Sequence, residues 1–310
     1  MCYRVGRMSE ADRESLCQRP IAVFDSGLGG LTVVRELTRA MPGEDILYLG
    51  DTARVPYGIK SLETVRRFAR EDARFLLARD PKLLVVACNT ASAAGTDHLE
   101  ALSPVEVIDV IRPGAAAALE ATRGRIGVIG TEATIASGAY QRALEAADPA
   151  REVMAVACPL LVPIVEEGRR EDDPIVLHVL SDYLRGLQRF LGTGEAVAGG
   201  TDRSASAALI LGCTHYPLLA GAIGKLMGPH VPLVSSAAAT AKKIEHRLRS
   251  NGLRSARESG GTLGCYTTDN AERFAALGER FGGRKIDHVE YVGTDELESP
   301  ATEPAEAMAE

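Results

Sequence analysis

LLVVACNTASAA, residues 83 to 94, is the segment of this sequence that is most informative about its structure. An apolar run of strand length ends abruptly at Cys88, and Asn89 and Thr90 then introduce small residues typical of a helix start. The same pattern returns in ALILGCTHYPLL, residues 208 to 219, where the strand-like run ends at Cys213. Each stretch therefore predicts a buried strand that leads through a cysteine into a helix.

This strand–turn–helix unit repeats along most of the chain. Apolar runs at IAVFD (21–25), DILYLG (45–50) and IGVIG (126–130) each precede a polar turn and a helical pattern. Strands that read as continuous apolar runs between helices are typical of parallel sheets covered on both faces. IAVFDSGLGG and IGVIGTEATI also echo one another. We therefore predict an α/β protein of two pseudo-symmetric lobes, with mainly parallel sheets flanked by helices.

The composition excludes several classes of protein. Of the 310 residues, 45% are apolar and 25% are charged, which excludes wholesale disorder. The net charge of −7 argues against a dedicated nucleic-acid binder, and no apolar run is long enough to span a bilayer. Because the N-terminus also lacks an apolar signal core, we expect a cytoplasmic protein with no membrane and no direct nucleic-acid partner.

The six cysteines are widely and irregularly spaced, with no CxxC pair. Neither a zinc ribbon nor a thioredoxin-type site is indicated, and cytosolic cysteines are expected to be reduced thiols. Taken alone, each cysteine is more often a small buried hydrophobe than a catalytic group.

The paired positions of Cys88 and Cys213 favour chemistry all the same. In open α/β sheets, ligands bind at the carboxyl ends of strands, beside the N-termini of the following helices. Backbone N–H groups there hold a carboxylate well, and the positive helix end is expected to lower the pKa of a nearby thiol. Since an ordinary cysteine is only a few per cent thiolate at neutral pH, this setting would prepare both thiols as bases or nucleophiles.

Two thiols facing one small ligand suit the inversion of a stereocentre. One group removes the α-proton from one face and the other returns a proton on the opposite face, so either enantiomer is processed by exchanging the two roles. Such a reaction needs no cofactor or metal. The weakly acidic α-proton of an amino acid does require N–H dipoles and polar side chains to stabilise the carbanionic transition state.

Two further candidate site residues, Asp25 and His215, each have a functional and a structural interpretation. Asp25 ends a strand, where it either accepts hydrogen bonds from a substrate ammonium or caps the following turn, and Ser26 begins the glycine-rich SGLGG. SGLGG lacks the G-x-G-x-x-G spacing and is followed by no P-loop lysine, so no nucleotide site is indicated. His215 either exchanges protons with Cys213 or serves as a capping or packing residue.

Together these residues resemble the glutamate racemases, cofactor-independent enzymes of the aspartate/glutamate racemase superfamily. The resemblance covers roughly residues 20 to 270 and rests on five motifs, IAVFDSGLGGLTVVREL, YLGDTARVPYG, VVACNTASA, ACPLLVPIVEEG and LILGCTHYPLL. It implies interconversion of L- and D-glutamate, supplying D-glutamate for bacterial peptidoglycan.

The resemblance also implies roles for individual residues. Cys88 and Cys213 match the catalytic cysteines, with Cys88 acting on D-glutamate and Cys213 on L-glutamate. Glu166 matches an acidic residue near the site, although the neighbouring Glu167 is an equally exposed-looking carboxylate. The substrate-contact pairs match Asp25 and Ser26, Tyr57 and Gly58, Asn89 and Thr90, and Thr214 and His215.

The architecture implied by the resemblance has its active site in the cleft between two lobes, and because members of the family are often dimers, we expect a homodimer. The first lobe would comprise residues 20–115 and 231–292, and the second lobe residues 116–230. An extension, 1–19, would lie outside the core, and an acidic tail, 293–310, is expected to be disordered. VSSAAAT, residues 234 to 240, departs from the usual single Ser/Gly motif and could alter packing behind the site.

Three alternatives remain open at the level of sequence. The substrate could be aspartate or a hydantoin, or the enzyme a related decarboxylase, although CTHYP and PYG favour glutamate. A hydrolase using Cys213 and His215 would leave Cys88 unexplained. A regulatory protein that contacts DNA gyrase, as some members of this family do, is not indicated by any residue of the sequence.

Overall fold

The computed structural model describes residues 10–193 and 207–298, which form two parallel β-sheets and the helices around them. The strands are β1 (Ile21–Asp25), β2 (Ile46–Gly50), β3 (Leu83–Val86), β4 (Glu106–Asp109), β5 (Arg125–Gly130), β6 (Val153–Ala157), β7 (Ala207–Gly212), β8 (Leu233–Ser235), β9 (Leu263–Thr267) and β10 (Val289–Tyr291). The α-helices are α1 (Glu10–Gln18), α2 (Leu31–Ala40), α3 (Leu62–Leu77), α4 (Asn89–Ala93), α5 (Asp97–Leu102), α6 (Ile111–Ala121), α7 (Glu132–Ala136), α8 (Ala139–Ala147), α9 (Leu161–Glu166), α10 (Pro174–Leu191), α11 (Ala220–Met227), α12 (Ser236–Ser250), α13 (Ala271–Gly282) and α14 (Thr294–Glu298).

The first lobe is built on a six-stranded sheet in the order β10-β9-β2-β1-β3-β4. Its pairings are parallel, and Ile21 lies beside both Ile46 and Leu83 in the register. All five residues of β1 are buried, as expected for a central strand covered on both faces by helices. This sheet confirms the predicted α/β class and directs the carboxyl ends of β1 and β3 to the same edge.

The second lobe contains a four-stranded parallel sheet in the order β6-β5-β7-β8. The lobe boundary predicted at residue 231 lies one strand too early, because Leu233 pairs with Leu209 and β8 completes this second sheet. The connection from β7 through α11 is a short crossover that returns the chain beside the strand it left. The chain re-enters the first lobe in α12, which packs against α2 and α6.

Both ends of the described chain hold more structure than the sequence indicated. In α1, within the predicted extension, Leu16 is buried and the thiol of Cys17 donates to the carbonyl of Gly252 at 3.2 Å. In α14, at the start of the predicted tail, Leu297 is 1% exposed and the helix packs on α3. In each helix a single leucine packs against the core and most of the surrounding residues are polar. The hydrophobic periodicity that would identify a helix in the sequence is therefore weak. Residues 299–310 of the predicted tail lie outside the described residues.

Among the helices of the described residues, none combines the length and the apolar character needed to cross a membrane.

A buried ion pair fastens α1 and the segment after α12 to the first sheet. The ammonium of Lys82, immediately before β3, donates to the carboxylate of Glu44 and to the carbonyls of Cys17 at 2.8 Å and Leu253 at 3.1 Å. The backbone N–H of Ser255 donates to the other oxygen of Glu44 at 2.8 Å. Both charged side chains are at most 2% exposed, so each charge depends on its partner.

We expect Lys82→Met to lower the free energy of unfolding by about 3–5 kcal/mol, because it leaves the carboxylate of Glu44 buried without its cation. Urea unfolding of the purified protein measures the change. The double variant Lys82→Met/Glu44→Gln should recover much of the loss, since the amide oxygen can still accept from Ser255. A loss below about 1 kcal/mol for Lys82→Met alone would contradict this account of the pair.

Candidate functional site

The two lobes touch where the turn after β1 meets the turn after β7. The hydroxyl of Thr32 donates to the carbonyl of Thr214 across the lobes at 3.0 Å. Gly29 lies against the same turn so closely that a Cβ there would overlap the hydroxyl of Thr214 and lie 2.5 Å from Nδ1 of His215. Only a glycine permits this approach. The contact brings the carboxyl ends of strands from both sheets together, as expected for a ligand site of this fold class.

Cys88 lies at the end of β3, is 4% exposed, and occupies the N-cap position of α4. Its sulfur accepts from the N–H of Ala91 at 3.4 Å and lies 3.6 Å from the hydroxyl of Ser26. The predicted lowering of its pKa is wrong, because burial, reinforced by the nearby carboxylate of Asp25, raises the pKa of Cys88 to about 12. The single-turn helix α4 cannot offset that burial. Cys88 is therefore a neutral thiol at rest.

Cys213 follows β7 and has a different electrostatic environment. Its sulfur, in a side chain 5% exposed, lies 3.8 Å from Nδ1 of His215, whose Nε2 lies 2.9 Å from the carboxylate of Glu166. Burial alone would lower the pKa of His215, but its hydrogen bonds to Cys213 and Glu166 raise that pKa to about 10. At neutral pH the imidazole is therefore a cation beside Cys213, where it stabilises negative charge developing on the sulfur.

The carboxylate that reaches this group is Glu166. Sequence alone does not distinguish it from Glu167, but Glu166 ends α9 with a partly buried side chain directed at His215. Glu167 is exposed. Glu166, His215 and Cys213 therefore form a line of three groups that runs from a partly buried carboxylate to a buried thiol.

Asp25 and Asn89 each present a buried oxygen with no hydrogen-bond partner in the described residues. One oxygen of Asp25 accepts from the N–H of Gly27 at 3.1 Å while Oδ1 is left over. Burial raises the pKa of Asp25, in opposition to the nearby His215 and to the backbone N–H groups of Gly30 and Gly27. Buried acceptors without donors are costly, so these two oxygens point to a ligand that brings N–H groups.

The remaining predicted residues lie at the same junction, with different roles for their side chains. The hydroxyl of Thr90 shares hydrogen bonds with those of Thr131 at 3.0 Å and Thr134 at 3.3 Å, across the lobes. Gly58 packs against Thr131, whose Cβ would lie 2.8 Å from a Cβ at residue 58. Thr214 lies 3.5 Å from Nδ1 of His215. Thr131 was not predicted as a residue of this site. Its only indication in the sequence was its position, as a polar residue directly after β5.

The side chain of Tyr57 is directed into the first lobe. Its buried hydroxyl bonds to the carboxylates of Asp51 and, at 3.1 Å, Asp72. Arg54 joins the same group, donating to Asp51 at 2.7 Å, to Asp72 at 3.0 Å and to Glu71. Burial and the neighbouring Asp51 raise the pKa of Asp72. The hydroxyl of Tyr57 is therefore used in hydrogen bonds that hold its own loop in place. The backbone groups of this loop remain available to contact a ligand.

A groove of about 200 Å³ opens beside this junction and reaches Glu166 from the outside. Gly27 and Thr52 line one part of it, and Asp269 and Arg273 line another. Within the described residues, no three His, Cys, Asp or Glu side chains are grouped so as to hold a metal ion.

Comparison with known proteins gives one consistent group of relatives. The family model of Asp/Glu/Hydantoin racemases matches residues 27–244. A glutamate racemase of Geobacter metallireducens is 45% identical over 279 residues, 89% of this chain and 97% of that protein. One from Thermus thermophilus is 47% identical, covering 90% of this chain and 98% of its own.

Solved structures agree with these relatives. A glutamate racemase isoform of Bacillus anthracis superimposes with a TM-score of 0.79 at 40% identity, covering 88% of this chain and 97% of its own. The Francisella tularensis glutamate racemase, solved in complex with D-glutamate, has a TM-score of 0.79 at 37% identity and covers 90% and 99%. An aspartate racemase of Picrophilus torridus, at 15% identity and a TM-score of 0.53, shares the fold alone.

The pKa of His215 gives a pH-dependent stability. With a folded value of about 10 against an ordinary 6.5, the folded state keeps a proton that the unfolded chain releases between these values. The stabilisation is complete below about pH 6.5 and is lost as the pH rises through about 10. In urea unfolding, we expect the wild type to lose up to about 1.4 kcal/mol per pH unit more than His215→Asn across this window. Parallel pH profiles for the two proteins would contradict the charged imidazole.

Proposed function

Because this chain belongs to the Asp/Glu/Hydantoin racemase family and matches glutamate racemases over most of its length, we propose that it interconverts L- and D-glutamate through the two thiols of Cys88 and Cys213. The observation that carries the proposal is the pair of buried strand-end cysteines, one from each lobe, at a junction with two unpartnered buried acceptors. A hydrolase that used Cys213 and His215 would leave Cys88 without a role.

The substrate's ammonium group fits the orphaned oxygens of Asp25 and Asn89, which lack the donors that a buried acceptor requires. Its carboxylate fits the opposite type of partner, the hydroxyls and backbone N–H groups near Ser26, Thr90 and Thr214. Negative charge that develops towards the substrate carboxylate in the transition state would be stabilised by these donors. The proposed pose therefore satisfies groups that are otherwise unpaired.

In the L-to-D direction, Cys213 is the base. Its sulfur takes the α-proton of L-glutamate, and the electron pair of that C–H bond moves towards the substrate carboxylate. The thiol of Cys88, neutral because burial raises its pKa, then gives its proton to the opposite face. The products are D-glutamate, a Cys213 thiol and a Cys88 thiolate, and the site is reset when Cys213 loses one proton to solvent and Cys88 gains one. Reversing the roles converts D-glutamate.

The roles of the charged neighbours differ between the two thiols. The imidazolium of His215, held by Glu166, lies beside the sulfur of Cys213, where it stabilises the negative charge of a base. Cys88 faces the carboxylate of Asp25, which disfavours a thiolate until an ammonium group offsets that charge. The D-glutamate direction therefore requires substrate binding to favour ionisation of Cys88.

We also propose, from the family membership, that the protein supplies D-glutamate for peptidoglycan synthesis and acts as a cytoplasmic homodimer. Analytical ultracentrifugation tests the dimer, which would have twice the 32.9 kDa mass of one chain. No feature of the described residues favours a contact with DNA gyrase, so such a contact does not form part of the proposal.

We expect the purified protein to racemise glutamate without pyridoxal phosphate, and a metal chelator should leave the rate unchanged. In deuterated water, the product should gain deuterium at the α-carbon from the first turnover, because its new proton comes from the exchangeable thiol on the opposite face, and recovered substrate should gain deuterium only later, through the reverse reaction. Circular dichroism of glutamate and NMR of the α-proton provide the measurements. Turnover of aspartate with none of glutamate would reject the proposed substrate.

Cys88→Ser and Cys213→Ser should each lower kcat for racemisation by at least about 10³-fold, because a serine hydroxyl is a much poorer acid–base group at neutral pH. Cys265→Ala is the matched control, a buried cysteine within β9 of the first sheet that is expected to retain wild-type kcat. Unfolding curves establish that the variants remain folded. Wild-type activity in either serine variant would exclude the two-thiol mechanism.

A further inference from the structure

The orientation of Asn89 is set by a tyrosine from the other lobe. Asn89 begins α4 in the first lobe, and its Nδ2 donates to the hydroxyl of Tyr140, on α8 of the second lobe, at 2.8 Å. Both side chains are almost completely buried. This hydrogen bond commits the amide's donor end to Tyr140, which leaves Oδ1 as the unpartnered acceptor at the site.

The hydrogen bonds beyond Tyr140 fix the direction of the whole series. The hydroxyl of Tyr140 lies 2.7 Å from that of Ser236, and the hydroxyl of Ser236 lies 3.3 Å from the carbonyl of Leu211. A carbonyl oxygen can only accept a hydrogen bond, so the hydroxyl of Ser236 donates its one proton to the carbonyl of Leu211. The same hydroxyl must therefore accept from the hydroxyl of Tyr140. Tyr140 in turn accepts from Asn89. The order Asn89, Tyr140, Ser236, Leu211 therefore has one consistent set of donors.

The ring of Tyr140 also contacts the strand end that carries the second thiol. Gly212 is the last residue of β7 and precedes Cys213, and a Cβ at residue 212 would lie 2.9 Å from a ring carbon of Tyr140. Tyr140 thus contacts the residue that follows Cys88 and the residue that precedes Cys213.

The departure VSSAAAT, residues 234 to 240, has a role in this series. Its first serine, Ser235, caps α12 by accepting from the N–H of Ala238 at 3.3 Å. The second serine, Ser236, is then available to bond Tyr140 and Leu211. A single serine could not perform both tasks, since they are at different positions of the helix start.

We propose that Tyr140, supported by Ser236, is a positioning residue that turns the amide oxygen of Asn89 towards the substrate's ammonium group. This inference rests on the proposed function, because it assigns Asn89 to the binding of glutamate. Loss of the Tyr140 hydroxyl removes the acceptor that orders the amide, and its oxygen is then free to turn away from the site. The effect is expected on affinity more than on proton transfer.

Tyr140→Phe should raise KM for both glutamate enantiomers by about 10-fold, as expected for the loss of roughly one ordered hydrogen bond, with kcat changed by less than about 3-fold. Ser236→Ala should raise KM in the same direction by a smaller factor. Tyr183→Phe is the matched control, a tyrosine on α10 whose hydroxyl accepts from the N–H of Leu160 at 3.3 Å and which should leave KM unchanged.

A double-mutant cycle separates positioning from general packing. Calorimetric titration with D-glutamate measures affinity in proteins that all carry Cys88→Ser, which prevents turnover of the ligand: the otherwise wild-type chain, Tyr140→Phe, Asn89→Ala and the double variant. Positioning predicts that Tyr140→Phe weakens binding in the otherwise wild-type chain but not in Asn89→Ala, since there is no amide left to orient. An equal weakening in both backgrounds would overturn the proposal and leave Tyr140 as a core residue.

Two controls keep the result interpretable. If Tyr140→Phe does not fold, Ser236→Ala enters the same cycle, with coupling to Asn89→Ala supporting the proposal and additivity overturning it. A wild type that fails to racemise glutamate rejects the proposed function itself. A wild type that racemises glutamate while the cycle is additive rejects only the role of Tyr140.

Discussion

The contact on which the rest of the site depends is the close approach of Gly29 to Thr214 and His215. Because Gly29 has no side chain, the turn after β1 reaches the turn after β7, and the Thr32–Thr214 hydrogen bond fixes the distance. Each sheet alone would present one thiol at its carboxyl edge. The interlobe contact places two such edges at one junction, where a small ligand can meet groups from both. A larger residue at position 29 would force the lobes apart.

Electrostatics then distinguish two cysteines that the sequence presents as equivalent. The Cys213 thiol lies next to an imidazolium, whereas the Cys88 thiol is buried beside the carboxylate of Asp25. Desolvation dominates at Cys88, and a specific charged partner dominates the surroundings of Cys213. The charges around the two cysteines therefore differ at rest, even though the proposed reaction is symmetric. The ammonium group of the substrate can offset the carboxylate charge of Asp25 beside Cys88.

The features that the sequence predicted are those encoded in local patterns. Continuous apolar runs identified the strands, and a strand end followed by small polar residues located Cys88 and Cys213. Features set by three-dimensional neighbours were out of reach. The pairing of β8 depends on a crossover, and the pKa of Cys88 depends on burial that no spacing reveals. The direction of the Tyr57 hydroxyl depends on the carboxylates of Asp51 and, from α3, Asp72, and Tyr140 lies within an ordinary amphipathic helix.

The most direct test of the central claim is a crystal structure of the protein with D-glutamate bound. We predict that the α-carbon lies between the sulfurs of Cys88 and Cys213, with one sulfur on each face. We also predict that the ammonium group donates to Oδ1 of Asp25 and Oδ1 of Asn89. Glutamate bound in the groove beside Asp269, or with its α-carbon within reach of one sulfur only, would contradict the two-thiol site.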